Sequence, residues 1–183
     1  ASDVYKRQHA DGVVVYAQTQ EGSGVKGIAA FFIRADSPGF ERIAVATSSA
    51  LSSMGVGGFR MTNLYCEASH LLYEPGEAFS DIMRAINRAR IYVAAMCCAM
   101  VSQALTDVGV YGRERSAFGQ SLNQHQGWRW QIAQAATALQ AGELLVREAC
   151  DLIDKGCEVQ TAAAQAKLYA TSMAQTHLGS LLH

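Results

Sequence analysis

Between residues 115 and 126 the chain gathers a guanidinium, an aromatic ring, a glycine, an imidazole and an amide: Arg115-Ser-Ala-Phe118-Gly119-Gln-Ser-Leu122-Asn-Gln-His125-Gln126. This set suits an anionic, planar ligand. Arg115 can hold a phosphate bidentately. Phe118 can pack on a ring, and Gly119 permits a tight backbone. His125 and Gln126 fall in the first turn of a predicted helix, where the helix dipole also favours a phosphate. The plainer alternative makes Arg115 a surface residue and Phe118 a plug for the end of a helix bundle.

A second cluster holds Arg84, Asn87, Arg88 and Arg90. On a helix, Arg84 and Arg88 share one face at i, i+4 spacing, and a solvated polar face explains them. Arg90 directly precedes an apolar stretch and is expected at a buried edge, where an arginine usually has an anionic partner. No G-x-S-x-G or P-loop pattern occurs. The histidines at 9, 70, 125, 177 and 183 show no metal-ligand pairing. Met54-Gly-Val-Gly-Gly58 lacks the dinucleotide-binding spacing and reads as a tight turn or bulge.

These residues sit in a chain of 183 residues, half of them hydrophobic. Lys plus Arg total 15 and Asp plus Glu 16, a balance that argues against a dedicated nucleic-acid binder. The apolar content excludes a disordered chain. The longest uninterrupted apolar run, Ile91 to Val101, is shorter than the roughly 20 residues that span a bilayer. No secretory leader opens the chain. Cys66, Cys97, Cys98, Cys150 and Cys157 are odd in number and form no C-x-x-C pair. They read as buried free thiols rather than a disulfide framework or zinc site. A reducing compartment follows: the cytoplasm or, in a eukaryote, the mitochondrial matrix.

Two kinds of structure must position the clusters. Both prolines, Pro38 and Pro75, lie in the first 75 residues, where strands are expected. Val13–Ala17 and Val25–Ile33 are the stronger strand candidates, separated by a turn over Gln20–Gly24. Asp36-Ser37-Pro38-Gly39 is a second turn. Ile43–Ala46 and Gly58–Tyr65 are weaker candidates, for about four antiparallel strands in all. From residue 76 onward the pattern is helical. The helices are expected at about Ala78 to Tyr111, about Gln124 to Lys155 with Gly156 as stop, and from near Thr161 toward the end. The middle of the first is apolar all round and should be covered on several sides. The reading is thus α+β: a partial β domain over 1–75 (1–8 being a foreign junction), then an up-down helical bundle over 76–183. Both ends are abrupt, as in an excerpt of a longer protein.

Several segments in order resemble the acyl-CoA dehydrogenase family of flavoproteins. Ala10-Asp11-Gly12-Val-Val-Val15-Tyr-Ala17-Gln-Thr19 is similar to its A-D-x-x-x-V-x-A-x-T strand. Lys26-Gly27-Ile28, Phe31-Phe32-Ile33 and Pro38-Gly39-Phe40 follow its K-G-I-x-x-F-x-V…P-G stretch. Ile86-Asn87-Arg88-Ala89-Arg90-Ile91 resembles its L-x-x-x-R-(I/P) helix. Tyr111-x-x-Glu114-Arg115-x-x-Phe118-Gly119-x-x-Leu122-x-x-x-Gln126 matches its C-terminal signature. Ala163–Leu168 corresponds to its A-x-x-A-K helix.

The resemblance implies FAD, acyl-CoA substrates, a homodimer or homotetramer, and electron-transfer flavoprotein as electron acceptor. It assigns Arg115, Phe118, Leu122, His125 and Gln126 to FAD held mainly by a neighbouring subunit. Asn87 and Arg90 are assigned to the substrate, although an Asp is common where Asn87 stands. The implied reaction is α,β-dehydrogenation of an acyl thioester: a glutamate removes the α-proton and flavin N5 receives a hydride. The family's usual base lies beyond His183, and its minority position is Ala89 here, so no catalytic base is assigned within the chain. No metal is implied. His183 falls about where a flavin-contacting Gln often stands. Met54-Gly-Val-Gly-Gly-Phe59 departs from the family's M-G-x-R-x-S-x-T and points to an unusual substrate. A same-fold oxidase or monooxygenase using O₂, and a non-catalytic helical assembly module, are the competing readings.

Overall fold

The computed structural model describes residues 10–43 and 57–181. The expectations for residues 1–8, 44–46, 54–56 and 183 lie outside the described residues. The chain divides into two compact units, the first ending at Ile82 and the second beginning at Met83.

In the first unit, β1 (Gly12–Gln18), β2 (Ile28–Arg34) and β5 (Leu71–Tyr73) form one antiparallel sheet in the order β1-β2-β5. β3 (Phe40–Ile43) and β4 (Gly58–Met61) form a second, antiparallel pair. Side chains alternate as the pleat requires. Val13 and Ile33 are direct cross-strand partners, and with Phe59 they form the core, packed by Val15, Phe31 and Phe40. The intervening Val14 and Phe32 are exposed. Phe40 stacks on Phe59 at 5.3 Å, joining the second pair to this core.

Two strand expectations need correction. Val25-Lys26-Gly27 does not extend β2 but lies in a 3₁₀ turn, Gly24–Gly27. The backbone needs a reversal there, because Thr19 N–H must reach the Gly27 carbonyl at 2.8 Å. The fourth candidate, Gly58–Tyr65, is a strand only to Met61. The short β5 carries no alternation long enough to be read in advance, and its edge pairing to β2 is what makes it a strand.

In the helical part, α1 is Ala78–Glu114, α2 is Gln126–Asp154 and α3 is Gln160–Leu181. α2 ends as expected. Gly156 takes φ 66, its N–H bonds Ile153 O at 2.9 Å, and Cys157 N–H bonds Leu152 O at 2.9 Å. This is the double closure that a left-handed C′ glycine permits. The core of the second unit is mostly small residues. Ala94, Cys98 and Val101 of α1 meet Ala166, Ala170, Met173 and Ala174 of α3, flanked by Ala138, Leu139 and Leu145 of α2. Ile91 continues the stripe against Ala149 and Ala163.

Among the described residues, the all-round apolar stretch of α1 is buried along one side. Ile91, Ala94, Cys98 and Val101 recur at i, i+3, i+7 and i+10 and are buried, while Tyr92, Val93 and Met100 are exposed. The bilayer expectation also needs adjusting. Counted as a helix rather than as an unbroken apolar run, α1 is long and apolar enough to cross a membrane by length and composition. In this fold its buried stripe lies in the bundle core instead. Finally, the cysteines are free, but they are not all buried as expected: Cys98 is buried, Cys66 and Cys97 are half-buried, and Cys150 and Cys157 are exposed.

Candidate functional site

α1 ends one residue before Arg115, whose N–H still bonds Tyr111 O at 2.9 Å. The chain then makes a minimal hairpin: β6 (Ser116–Ala117) against β7 (Gln120–Ser121), with Ser116 opposite Ser121 and Ala117 opposite Gln120. Phe118 and Gly119 are its two turn residues, at φ 50 and 81. A two-residue hairpin favours positive φ at both positions because the turn then matches the strand twist. Glycine adopts it freely, whereas a phenylalanine there costs about 1–2 kcal/mol. The Phe118 ring is 99% exposed, so burial does not offset that cost. The structure thus overturns the alternative in which Phe118 plugs the bundle. The ring stands at the hairpin tip and meets the His125 ring edge-on, at a centroid distance of 6.2 Å.

Leu122 N–H bonds Arg115 O at 2.9 Å and closes the hairpin, which leaves the Arg115 guanidinium on the surface. Leu122 is half-buried and opens a 3₁₀ turn, Leu122–Gln124. His125 is the N-cap of α2, yet its side chain makes no capping bond. It turns back instead: Nε2 lies 3.0 Å from Ala117 O and Nδ1 lies 3.2 Å from Gln120 Nε2. Gln126, the first residue of α2, is exposed. The five residues predicted for one ligand therefore occupy one short stretch, with Arg115, Phe118 and Gln126 open to solvent.

Sequence reasoning missed what anchors this stretch. Asn123 Nδ2 donates to Gly109 O at 3.1 Å, and Asn123 Oδ1 accepts from Trp128 Nε1 at 2.8 Å. Asn123 O also accepts from Arg129 Nε at 2.7 Å. One asparagine thereby ties the connection to α1 on one side and to α2 on the other. The approach requires Gly112, where a Cβ would collide with Asn123 Oδ1 and Trp128 Nε1. The available signal was the Gly109, Gly112 pair at i, i+3 near the end of a helix, a spacing that clears one helix face.

With this geometry in view, comparison with known proteins decides the family. The family model for the acyl-CoA dehydrogenase C-terminal domain matches residues 76–182. The chain belongs to the acyl-CoA dehydrogenase family. Among relatives, it is 28% identical to the short-chain specific acyl-CoA dehydrogenase of Clostridium acetobutylicum, over 90% of this chain and 44% of that protein. It is 29% identical to the caffeyl-CoA reductase–Etf complex subunit CarC of Acetobacterium woodii, over 89% of this chain and 43% of that protein. The solved structure of butyryl-CoA dehydrogenase from Megasphaera elsdenii superimposes with a TM-score of 0.89 at 25% identity, covering 97% of this chain and 46% of that one. The chain spans about half the length of the curated relatives it matches.

The second cluster lies on α1. Asn87 is buried, and its Oδ1 accepts from Arg90 Nη1 at 3.0 Å. Arg90 is half-buried, as its place beside the apolar stretch required, but this bond is to a neutral amide rather than to an anion. This bond uses one of five guanidinium donors and directs the side chain toward Asn87. Arg84 and Arg88 are exposed, in keeping with a solvated face. Ala89 is exposed as well and cannot accept a proton.

Proposed function

We propose that the full-length protein is an FAD-dependent acyl-CoA dehydrogenase. FAD supplies the two-electron acceptor for α,β-dehydrogenation of an acyl-CoA thioester. The observation that carries this reading is the hairpin tip. A strained Phe118 ring stands exposed within a few residues of an exposed guanidinium and the start of a long helix. Such a donor set fits the aromatic and anionic parts of a dinucleotide: a ring for stacking, and Arg115 and Gln126 for polar contacts.

In this reading Arg115 binds phosphate, while Phe118 and Leu122 contact the rings. His125 and Gln126 complete the contact at the start of α2. Asn87 holds Arg90 in place, and the pair orients the anionic end of the acyl-CoA. The catalytic base is supplied by a part of the protein outside these 183 residues, since Ala89 cannot serve. The flavin contacted here belongs to a neighbouring subunit of a homodimer or homotetramer, so the site is completed by assembly. Electrons leave to an electron-transfer flavoprotein, a partner kept in view by the Etf complex named for the Acetobacterium woodii relative.

The test is purification of the full-length protein followed by its flavin spectrum, then anaerobic mixing with a panel of acyl-CoA thioesters. Bleaching of the flavin by one of them, with Arg115→Ala weakening FAD retention at least tenfold, is the expected result. Full-length protein that carries no flavin and takes up none when FAD is added overturns the reading in favour of a helical assembly module. Flavin that is reduced and then reoxidised rapidly by O₂ favours an oxidase or monooxygenase.

A further inference from the structure

His125 occupies the N-cap of α2, yet its side chain does not cap the helix. Its two ring nitrogens are both engaged within the chain, by two groups of the same hairpin. Ala117 O can only accept, so Nε2 must carry the proton and donate to it. The Gln120 amide nitrogen can only donate, so Nδ1 must be bare and accept from it. The contacts therefore select one form of the ring, the neutral Nε2–H tautomer. They also link the two hairpin strands at the level nearest the tip, where Ala117 and Gln120 are direct partners.

That level is where support is needed. The hairpin has only two residues per strand, and an isolated hairpin of this size is not stable in water. Its turn also carries the unfavourable φ of Phe118. Strain of this kind persists only where the surroundings over-determine the conformation. We infer that His125 is a positioning residue. As the neutral Nε2–H tautomer it clips Ala117 to Gln120 and thereby holds Phe118 at the hairpin tip in its left-handed conformation. This deepens the flavin reading, and rests on it for the identity of the ring that Phe118 meets. His125 then serves the ligand by fixing the neighbouring aromatic, whatever contact it also makes itself.

The experiment uses the full-length protein without added flavin. Long-range proton–nitrogen correlation of the His125 ring at neutral pH reads the tautomer. Amide hydrogen exchange at Leu122, whose N–H closes the hairpin on Arg115 O, reads whether the hairpin is held. His125→Phe keeps a ring beside Phe118 and loses both clip bonds, and is expected to speed Leu122 exchange about tenfold or more. His125→Gln keeps an amide N–H that can donate to Ala117 O and is expected to retain most of the protection. Gln120→Ala removes one bond without touching the helix start and is expected to give an intermediate rate. An Nδ1–H tautomer, or Leu122 exchange unchanged in both His125→Phe and Gln120→Ala, overturns the inference. The tautomer and the parent-to-variant exchange ratios are read with the flavin content of every sample measured and matched, so failure of the flavin reading leaves them as they are. Unchanged rates in a protein that does hold FAD would overturn the positioning role alone.

Discussion

Two glycines three residues apart in α1 should respond to the same substitution with opposite signs. Glycine in a helix interior is worse than alanine by about 0.5–1 kcal/mol, so Gly→Ala is favourable wherever space allows. At Gly109 a Cβ meets nothing within 4 Å. Gly109→Ala is therefore expected to stabilise by about that amount. At Gly112 a Cβ runs into Asn123 Oδ1 and Trp128 Nε1. Asn123 must withdraw, which forfeits its bonds to Gly109 O and from the Trp128 indole. Two such bonds contribute about 1–3 kcal/mol net, so after the helix-propensity gain Gly112→Ala should destabilise by about 1–2 kcal/mol. At about 2–4 °C per kcal/mol for a chain of this size, the melting points of the two variants should separate by about 5 °C, on opposite sides of the parent. Thermal melts followed by helical circular dichroism measure this, and Trp128 emission reports the local rearrangement. Two stabilised variants would refute the close approach of Asn123 to α1. Two destabilised ones would refute the open space at Gly109.

Other outcomes follow from the same structure. Burial pushes the Cys97 and Cys98 thiols up from their ordinary range, with Glu143 adding to the effect at Cys98, whereas Cys150 and Cys157 are exposed. A maleimide time course read by peptide mass should label Cys150 and Cys157 first and Cys98 last; early labelling of Cys98 would contradict the packing of α1. The hydrogen bond from Arg34 holds the Asp36 carboxyl below its ordinary range, joined by their mutual attraction. A lowered folded-state value means that its contribution is present above the ordinary carboxylate range and is lost as pH falls through the folded value. Carbon-13 titration should place Asp36 below a free carboxylate in the parent and return it to the ordinary range in Arg34→Ala. Val101 of α1 is fully buried in the core it shares with α3, and Val101→Ala should cost about 2 kcal/mol in urea unfolding, whereas Met100→Ala on the exposed side should cost far less.

Much of this protein is legible in local pattern. Val13-Val14-Val15-Tyr16-Ala17 marks a strand because β-branched and apolar side chains fit a pleated, half-buried surface. Gly156 after Asp154-Lys155 marks a helix stop because only glycine takes the left-handed position at low cost. The Glu114-Arg115-x-x-Phe118-Gly119 spacing puts a guanidinium, a ring and a glycine turn within one short stretch, close enough to meet one ligand. None of these depends on where distant residues lie.

What only the tertiary structure decided are the outcomes set by distant partners. Residues 91–101 are apolar on every side, so pattern alone could not select which stripe is buried, and the alanines of α3 made that choice for Ile91, Ala94, Cys98 and Val101. Leu71–Tyr73 is a strand because β2 offers an edge, not because three residues carry a period. Val25–Gly27 looked extended by composition, but the closing bond from Thr19 bends it into a 3₁₀ turn. His125 stands where a helix start would use it as a cap, and the carbonyl of Ala117 with the amide of Gln120 draws it back to the hairpin. Gly112 reads in sequence as a weak point in a helix, and in the fold it is the gap that Asn123 fills. Sequence specifies which chemical groups are present and what each backbone segment prefers; the free energy of contacts between segments selects among the conformations those preferences leave open.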